Sequence, residues 1–290
     1  MILKILLCIL ILIIIFVVLV ICHDMNTFVV RNYEISSEKI AKDFSFCLLS
    51  DLHEKSYGKN NEKLIKKIFS LDPDAVIIAG DMITASNKLH SMNMGPAIDI
   101  IRAVSEKYPV YAANGNHEYK MFILEGWRSK EYRHYEDALK SRGVVLLRNT
   151  GTYLEEYNME IHGLETSYEY YSKFRKHPMD DEYINGFFGE PCSERFQLLI
   201  AHNPRYFEEY AKWGADLTVS GHVHGGIARL PFLGGVLSPA LVPFPKYDGG
   251  LFTIGERHMI LSRGLGMHTV PIRFNNPGEL CFVTVRKKER

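Results

Sequence analysis

Five short apolar runs in this chain end in the same kind of residue, and that repetition constrains the fold more than any other feature. FSFCLLS (44–50), AVIIAG (75–80), PVYAANG (109–115) and FQLLIAH (196–202) are β-rich and bounded by polar, Gly or Pro residues, the signature of buried strands. GVVLLR (143–148) reads the same way. Behind the runs stand Asp51 and His53, then Asp81, then Asn116 with His117 and Glu118, then His202. A fifth run, DLTVS (216–220), leads into GHVHGG with His222 and His224. Helical patterns lie between several strands. NEKLIKKIFSL (61–71) sets Leu64, Ile65, Ile68 and Phe69 on one face, and AIDIIRAVSEK (97–107) and YEDALKSRG (135–143) behave alike. Alternating strand and helix predicts α/β layers. The turn-rich stretches 159–164 and beyond 217 predict a second sheet. In such sheets ligands collect past the carboxyl ends of the strands, so the polar residues behind the runs are expected to converge.

Their chemistry is specific as a set. Asp51, Asp81, Asn116, His53, His202, His222 and His224 combine hard oxygen donors with imidazole, a mixture suited to Mn, Fe, Zn or Ni. They are too many for one ion and suffice for two if a carboxylate bridges. In extended chain, positions i and i+2 point the same way, so Asp51 with His53, and His222 with His224, are expected to reach inward as pairs. Gly221, Gly225 and Gly226 are expected to clear room for the two rings. Each piece alone has a plainer reading: a Gly-Asp behind a strand is usually a turn, and a lone His202 a core histidine.

The amino-terminal part is different. Residues 5–22, ILLCILILIIIFVVLVIC, carry no charge and are long enough to span a bilayer as a helix. A cleaved signal peptide is the competing reading, but the apolar core is long and no small-x-small site follows. Residues 1–22 therefore read as a transmembrane anchor, 23–43 as a connector with an edge strand over 27–33, and 44–287 as the catalytic domain. Lys4 on one side and Arg31 on the other barely bias orientation. The domain is placed, as an expectation, on the extracytoplasmic side of a single-pass protein.

The rest of the composition excludes more than it assigns. The 290 residues carry 34 basic and 34 acidic side chains, so no global field favours nucleic acid. The 5 cysteines form no CxxC or disulfide framework. The aromatic stretch 166–191 has no clean period and reads as a functional loop or a helical insertion. Oligomeric state is not legible.

SDLH, GDMI, GNHE, AHNP and SGHVHGG, in that order, resemble the signature blocks of the calcineurin-like metallophosphoesterase superfamily. SRGLGMHTVPIRFNNPGEL (262–280) resembles the carboxyl-terminal block of its membrane-associated bacterial branch. The resemblance spans residues 45–285. It implies a four-layer α/β/β/α sandwich of two mixed sheets with two divalent transition-metal ions at one edge. It implies that Asp51, His53 and His224 hold one ion, that Asn116, His202 and His222 hold the other, and that Asp81 bridges. It implies a metal-dependent phosphoric ester hydrolase, with a bridging hydroxide as nucleophile and His117 in catalysis. Two positions depart from the pattern: Glu118 where Asp is common, and Ile227 where Gln often follows the glycines.

His117, beside ligand Asn116, is the natural general acid, and Glu118 either orients its ring or serves as a helix amino-terminal carboxylate. An anchored hydrolase works beside lipid, which makes a phospholipid or lipid-linked ester an expected substrate. The competing functions are a dimetal amide or peptide hydrolase and a non-enzymatic, metal-dependent binding module.

Overall fold

The computed structural model describes residues 1–85, 93–172, 175–230, 232–238, 242–267 and 270–289. It opens on α1 (Ile2–Asn26), an exposed apolar helix of 25 residues that is long and apolar enough to cross a membrane. One face of its last turns is covered: Val17, Val20, Ile21 and Met25 are partly shielded and Asp24 is buried.

Behind it, β1 (Phe28–Ser37) pairs in parallel with β14 (Gly278–Lys287) over ten residues. The segment read as a connector thus contributes the edge of a sheet, and the strand extends past 33 to Ser37. Its partner lies near the other end of the chain, so local patterning could not show its length. The first sheet runs β1-β14-β2-β3-β4-β5, with β2 (Phe44–Leu49), β3 (Ala75–Ala79), β4 (Val110–Ala113) and β5 (Val145–Leu146). The GVVLLR run supplies only two paired residues of it.

The second sheet runs β12-β13-β9-β8-β7-β6. Its strands are β6 (Thr150–Leu154), β7 (Met159–Leu164), β8 (Phe196–Ala201), β9 (Leu217–Ser220), β12 (Gly250–Ile254) and β13 (Arg257–Leu261). A small hairpin, β10 (Arg229–Leu230) with β11 (Gly234–Gly235), stands apart.

Alternation along the strands builds the layers, because successive side chains leave opposite faces. In β2, Phe44, Phe46 and Leu48 meet Ile161, Leu198, Ile200 and Val219 of the second sheet, forming the core between the sheets. Cys47 and Leu49 face the other way, onto helices α2 (Glu62–Leu71), α3 (Gly95–Ser105) and α5 (Trp127–Lys140). On the far side, Leu199 and Ala201 pack under α6 (Glu182–Phe188) and α7 (Phe207–Trp213) through Ile184, Tyr210 and Trp213. The architecture is the four-layer α/β/β/α sandwich. The aromatic stretch 166–191, whose residues 173–174 lie outside the described set, includes the turn Tyr168–Tyr171 and α6.

Candidate metal centre

The parallel strands β2, β3 and β4 of one sheet, and β8 and β9 of the other, end at the same edge. Asp51 N donates to Gly80 O and His53 N to Asp81 O, which ties the first two loops together. Helix α4 (Asn116–Ile123) starts directly behind β4. Gly221 N donates to His202 O across the second sheet. The sheets are joined where His222 N donates to both Asp51 oxygens, at 3.0 and 3.1 Å.

Two expectations about how the residues converge need correction. Asp51, His53, His222 and His224 are not in extended chain: their φ angles are 51°, 44°, 77° and 55°. Left-handed turns, not strand alternation, aim them inward. Nor do the glycines mainly clear room for imidazoles. A Cβ on Gly221 would lie 1.9 Å from Ser50 Oγ and 2.3 Å from Asp51 Oδ2. One on Gly225, at φ 72°, would lie 2.6 Å from Asn276 Oδ1. They admit the carboxylate and the asparagine that hold the loop.

The ligand atoms come together in groups. Asp51, His53 and His224 each offer an atom within 4.8 Å of the others, and so do Asp81, His202 and His222. His53, Asp81 and His117 form a third, overlapping group. His202 Nδ1 donates to Ala79 O at 2.6 Å, which turns Nε2 to within 3.0 Å of Asp81 Oδ2. His224 Nδ1 donates to Gly266 O at 3.2 Å, leaving Nε2 3.4 Å from Asp51 Oδ1. His53 Nδ1 meets Thr84 Oγ1 at 3.2 Å, with Nε2 3.8 Å from Asp81 Oδ2. A ring held at one nitrogen with the other aimed at carboxylates is the arrangement of a metal-binding histidine. Asn116 Oδ1 is buried with no hydrogen-bond partner among the described residues. These donors fit divalent transition ions.

Electrostatics follow the packing. Burial resists the charge on Asp81, but the His202 and His117 imidazoles outweigh it and hold its carboxyl well below the usual range. Burial depresses His202, yet Asp81 and Asp51 raise it to about 10. Burial and repulsion from His202 push His222 down to about 3. Burial likewise lowers His224.

The carboxylate of Glu118 does not orient the His117 ring. Its oxygens accept from the backbone N–H groups of Gly115, Asp81, Met82 and Ile83, at 3.0, 2.9, 2.8 and 3.2 Å. It caps α4 and fixes the loop behind β3. Burial and then the charge of Asp81 push its carboxyl up to about 8. The His117 ring is held by Ala85, whose N–H donates to Nδ1 at 2.8 Å. In the neutral ring this puts the proton on Nε2.

The group opens into a cleft of about 650 Å³, walled by Tyr168, Tyr171, Lys176, Arg205, Lys246 and Tyr247. Tyr171 meets His222 edge-on at 5.1 Å. Sequence reasoning passed over two supports. Asn276 donates to His224 O at 2.8 Å and Gly226 O at 2.7 Å. The buried Arg273 donates to the carbonyls of Arg263, Gly264 and Gly266, beneath Asp51. Their only signal was their place in the block 262–280.

The profile of the calcineurin-like phosphoesterase family matches residues 44–226. Phosphodiesterase YaeI of Escherichia coli (strain K12) is 27% identical over 231 residues, 78% of this chain and 76% of that protein. The metallophosphoesterase YkuE of Bacillus subtilis (strain 168) is 25% identical over 84% of this chain and 79% of its own length. A Danio rerio transmembrane protein with a metallophosphoesterase domain is 24% identical over 89% of this chain, which spans 57% of that protein. With these blocks at one sheet edge and the family profile over most of the sandwich, the chain belongs to the calcineurin-like phosphoesterases and is a metal-dependent phosphoester hydrolase.

Proposed function

We propose that this protein is a membrane-anchored phosphodiesterase with two divalent ions, acting on lipid-borne phosphoesters. The observation that carries it is the set of imidazoles tied at Nδ1 with Nε2 turned toward Asp51 and Asp81, at the floor of a cleft with cationic walls. Asp51, His53 and His224 would hold one ion, Asn116, His202 and His222 the other, and Asp81 would serve both. Ions held there would activate water and neutralise phosphoryl charge. Lys120 and Arg205 of the wall draw the anionic ester toward the floor, while Lys176 and Lys246 are paired with Glu209 and Glu208. Tyr171 braces His222 and narrows the entry.

We read His117 as a hydrogen-bond donor rather than as the general acid. A ring that gives up a proton and ends neutral must start with both nitrogens protonated, and the Ala85 N–H occupies Nδ1. His117 instead presents Nε2–H as a hydrogen-bond donor to the phosphoryl oxygens as charge builds there. Glu118 acts as a positioning residue that sets the loop carrying Asp81.

The test uses the full-length protein, purified without chelator and reloaded with Mn²⁺. We expect about two ions per chain, as a bridged pair requires. We also expect faster turnover of bis(p-nitrophenyl) phosphate than of a p-nitroanilide amide. A content near one, unchanged in Asp81→Ala, overturns the paired site. Preference for the amide overturns the phosphoester reading.

A further inference from the structure

We propose that the segments 227–230, 232–238 and 242–245 form a second membrane contact, an apolar rim seated in the interfacial layer of the bilayer beside the anchor helix. This rests on the reading above that α1 crosses the membrane.

The rim is unusually apolar for a surface. Phe232 is 108% exposed, Leu233 63% and Phe244 60%, with Leu230 and Val242 at 40%. Exposed apolar residues gathered on neighbouring segments mark a contact surface rather than ordinary solvent-facing protein. These segments are cross-linked. Val236 N donates to Ala228 O and Phe244 N to Val236 O. On the other side, Arg229 N donates to Phe274 O and Phe274 N to Ile227 O.

That ladder leads to the anchor. Two residues past Phe274, Asn276 N donates to Asp24 Oδ2 at 2.8 Å, and Gly278 N then donates to Thr27 O. The segment beside the rim therefore grips the end of α1. The covered face of α1 fixes the depth. Shielding begins at Val17 and continues through Val20, Ile21 and Asp24, so protein overlaps about 10 Å of the helix. Val17, Val20 and Ile21 belong to the uncharged run 5–22. A helix filling a hydrocarbon layer of about 30 Å needs about 20 residues, which places this overlap at the lipid boundary. Phenylalanine and leucine on a surface at that depth gain by entering the layer between headgroups and acyl chains.

The rim also continues into the catalytic cleft, since Val242, Pro245, Lys246 and Tyr247 line its wall. The mouth of the cleft therefore opens beside the lipid surface, where a phosphoester headgroup can enter while its chains stay in the bilayer. Lys246 stands on that side, paired with Glu208.

The experiment reconstitutes the full chain in phosphatidylcholine–phosphatidylglycerol vesicles and compares Phe232→Trp with the parent. Subtraction removes the emission of Trp127 and Trp213. The added indole should emit blue-shifted, and its emission should be lost when the lipids carry bromine high on the acyl chain. Water-like emission, untouched by bromine, in chains that float with the vesicles through a carbonate wash would overturn the rim. Chains that do not float would overturn the anchor reading, and the rim with it. A second arm compares Phe232→Ser/Leu233→Ser with the parent on two esters. Turnover of soluble methyl p-nitrophenyl phosphate should be unchanged. Turnover of hexadecyl p-nitrophenyl phosphate in the same vesicles should fall at least about tenfold, a tenfold loss being about the worth of one buried apolar side chain of the two removed. Equal turnover of the hexadecyl ester by variant and parent, or equal loss on both esters, would count against the proposal.

Discussion

The two halves of the candidate metal centre come from two sheets and are held in place by different means. The half built on β2, β3 and β4 supports itself: one buried carboxylate, Glu118, ties the amino end of α4 to the loop carrying Asp81. The half built on β8 and β9 borrows support. His202 leans on Ala79 of the opposite sheet, and the loop of His222 and His224 hangs on Asp51, Asn276 and the carbonyls fixed by Arg273. Asn276 in turn is held by Asp24 at the end of α1. The first half is a compact device set by one side chain, three successive backbone amides, Asp81 to Ile83, and that of Gly115. The second is assembled from residues distant in sequence, and its last support is α1.

Glu118→Ala should break the first half most severely. It leaves buried N–H groups without an acceptor, at about 1–3 kcal/mol each before relaxation, so a loss on the order of 3–5 kcal/mol is expected. Thermal unfolding of the full chain followed by circular dichroism reads it. A loss below about 1 kcal/mol, the ordinary cost of a point change, would mean that the loop behind β3 is held by something else.

His117→Ala should come next. Loss of one donor to a charged transition state is worth about 10²–10³ in turnover. Both ions should stay bound. A donor to the phosphoryl oxygens gives similar losses on an alkyl and a p-nitrophenyl diester. A loss that shrinks on the p-nitrophenyl ester would restore the general acid.

Asn276→Ala should loosen the support of His224. Removing a support of a metal-binding residue costs about 10–100-fold in metal affinity, so Mn²⁺ titration should show the ion assigned to Asp51, His53 and His224 weakened and the other retained. Asp24→Asn keeps an acceptor for Asn276 N–H and should change the same affinity within about fivefold, or about 1 kcal/mol. If it equals Asn276→Ala, α1 is a full partner in the site. If it changes nothing, the two halves are equally independent of α1.

Much of this was legible in the sequence where the signal was local. Donor residues behind apolar runs pointed to the strands and to the candidate site, because burial and donor chemistry act on adjacent residues. Other features were not local. β1 reaches Ser37 only because β14 pairs with it across the length of the chain. Helix α5 starts at Trp127, ahead of the periodic stretch at 135, because only Tyr132, Tyr135 and Leu139 of it are buried. The use of Glu118 was ambiguous because a carboxylate at the start of a helix can serve a ring or a backbone.

The order and chemistry of the donors were set by the sequence alone, and so was the apolar helix, since both depend on residue type and spacing. Three matters were decided by the tertiary structure. Left-handed turns, which only surrounding contacts stabilise in Asp and His, aimed the ligands. Close approach of Ser50, Asp51 and Asn276 decided what the glycines were for. The hydrogen bond from Ala85 N to His117 Nδ1 decided which nitrogen carries the proton in the neutral ring, because a backbone N–H can only donate.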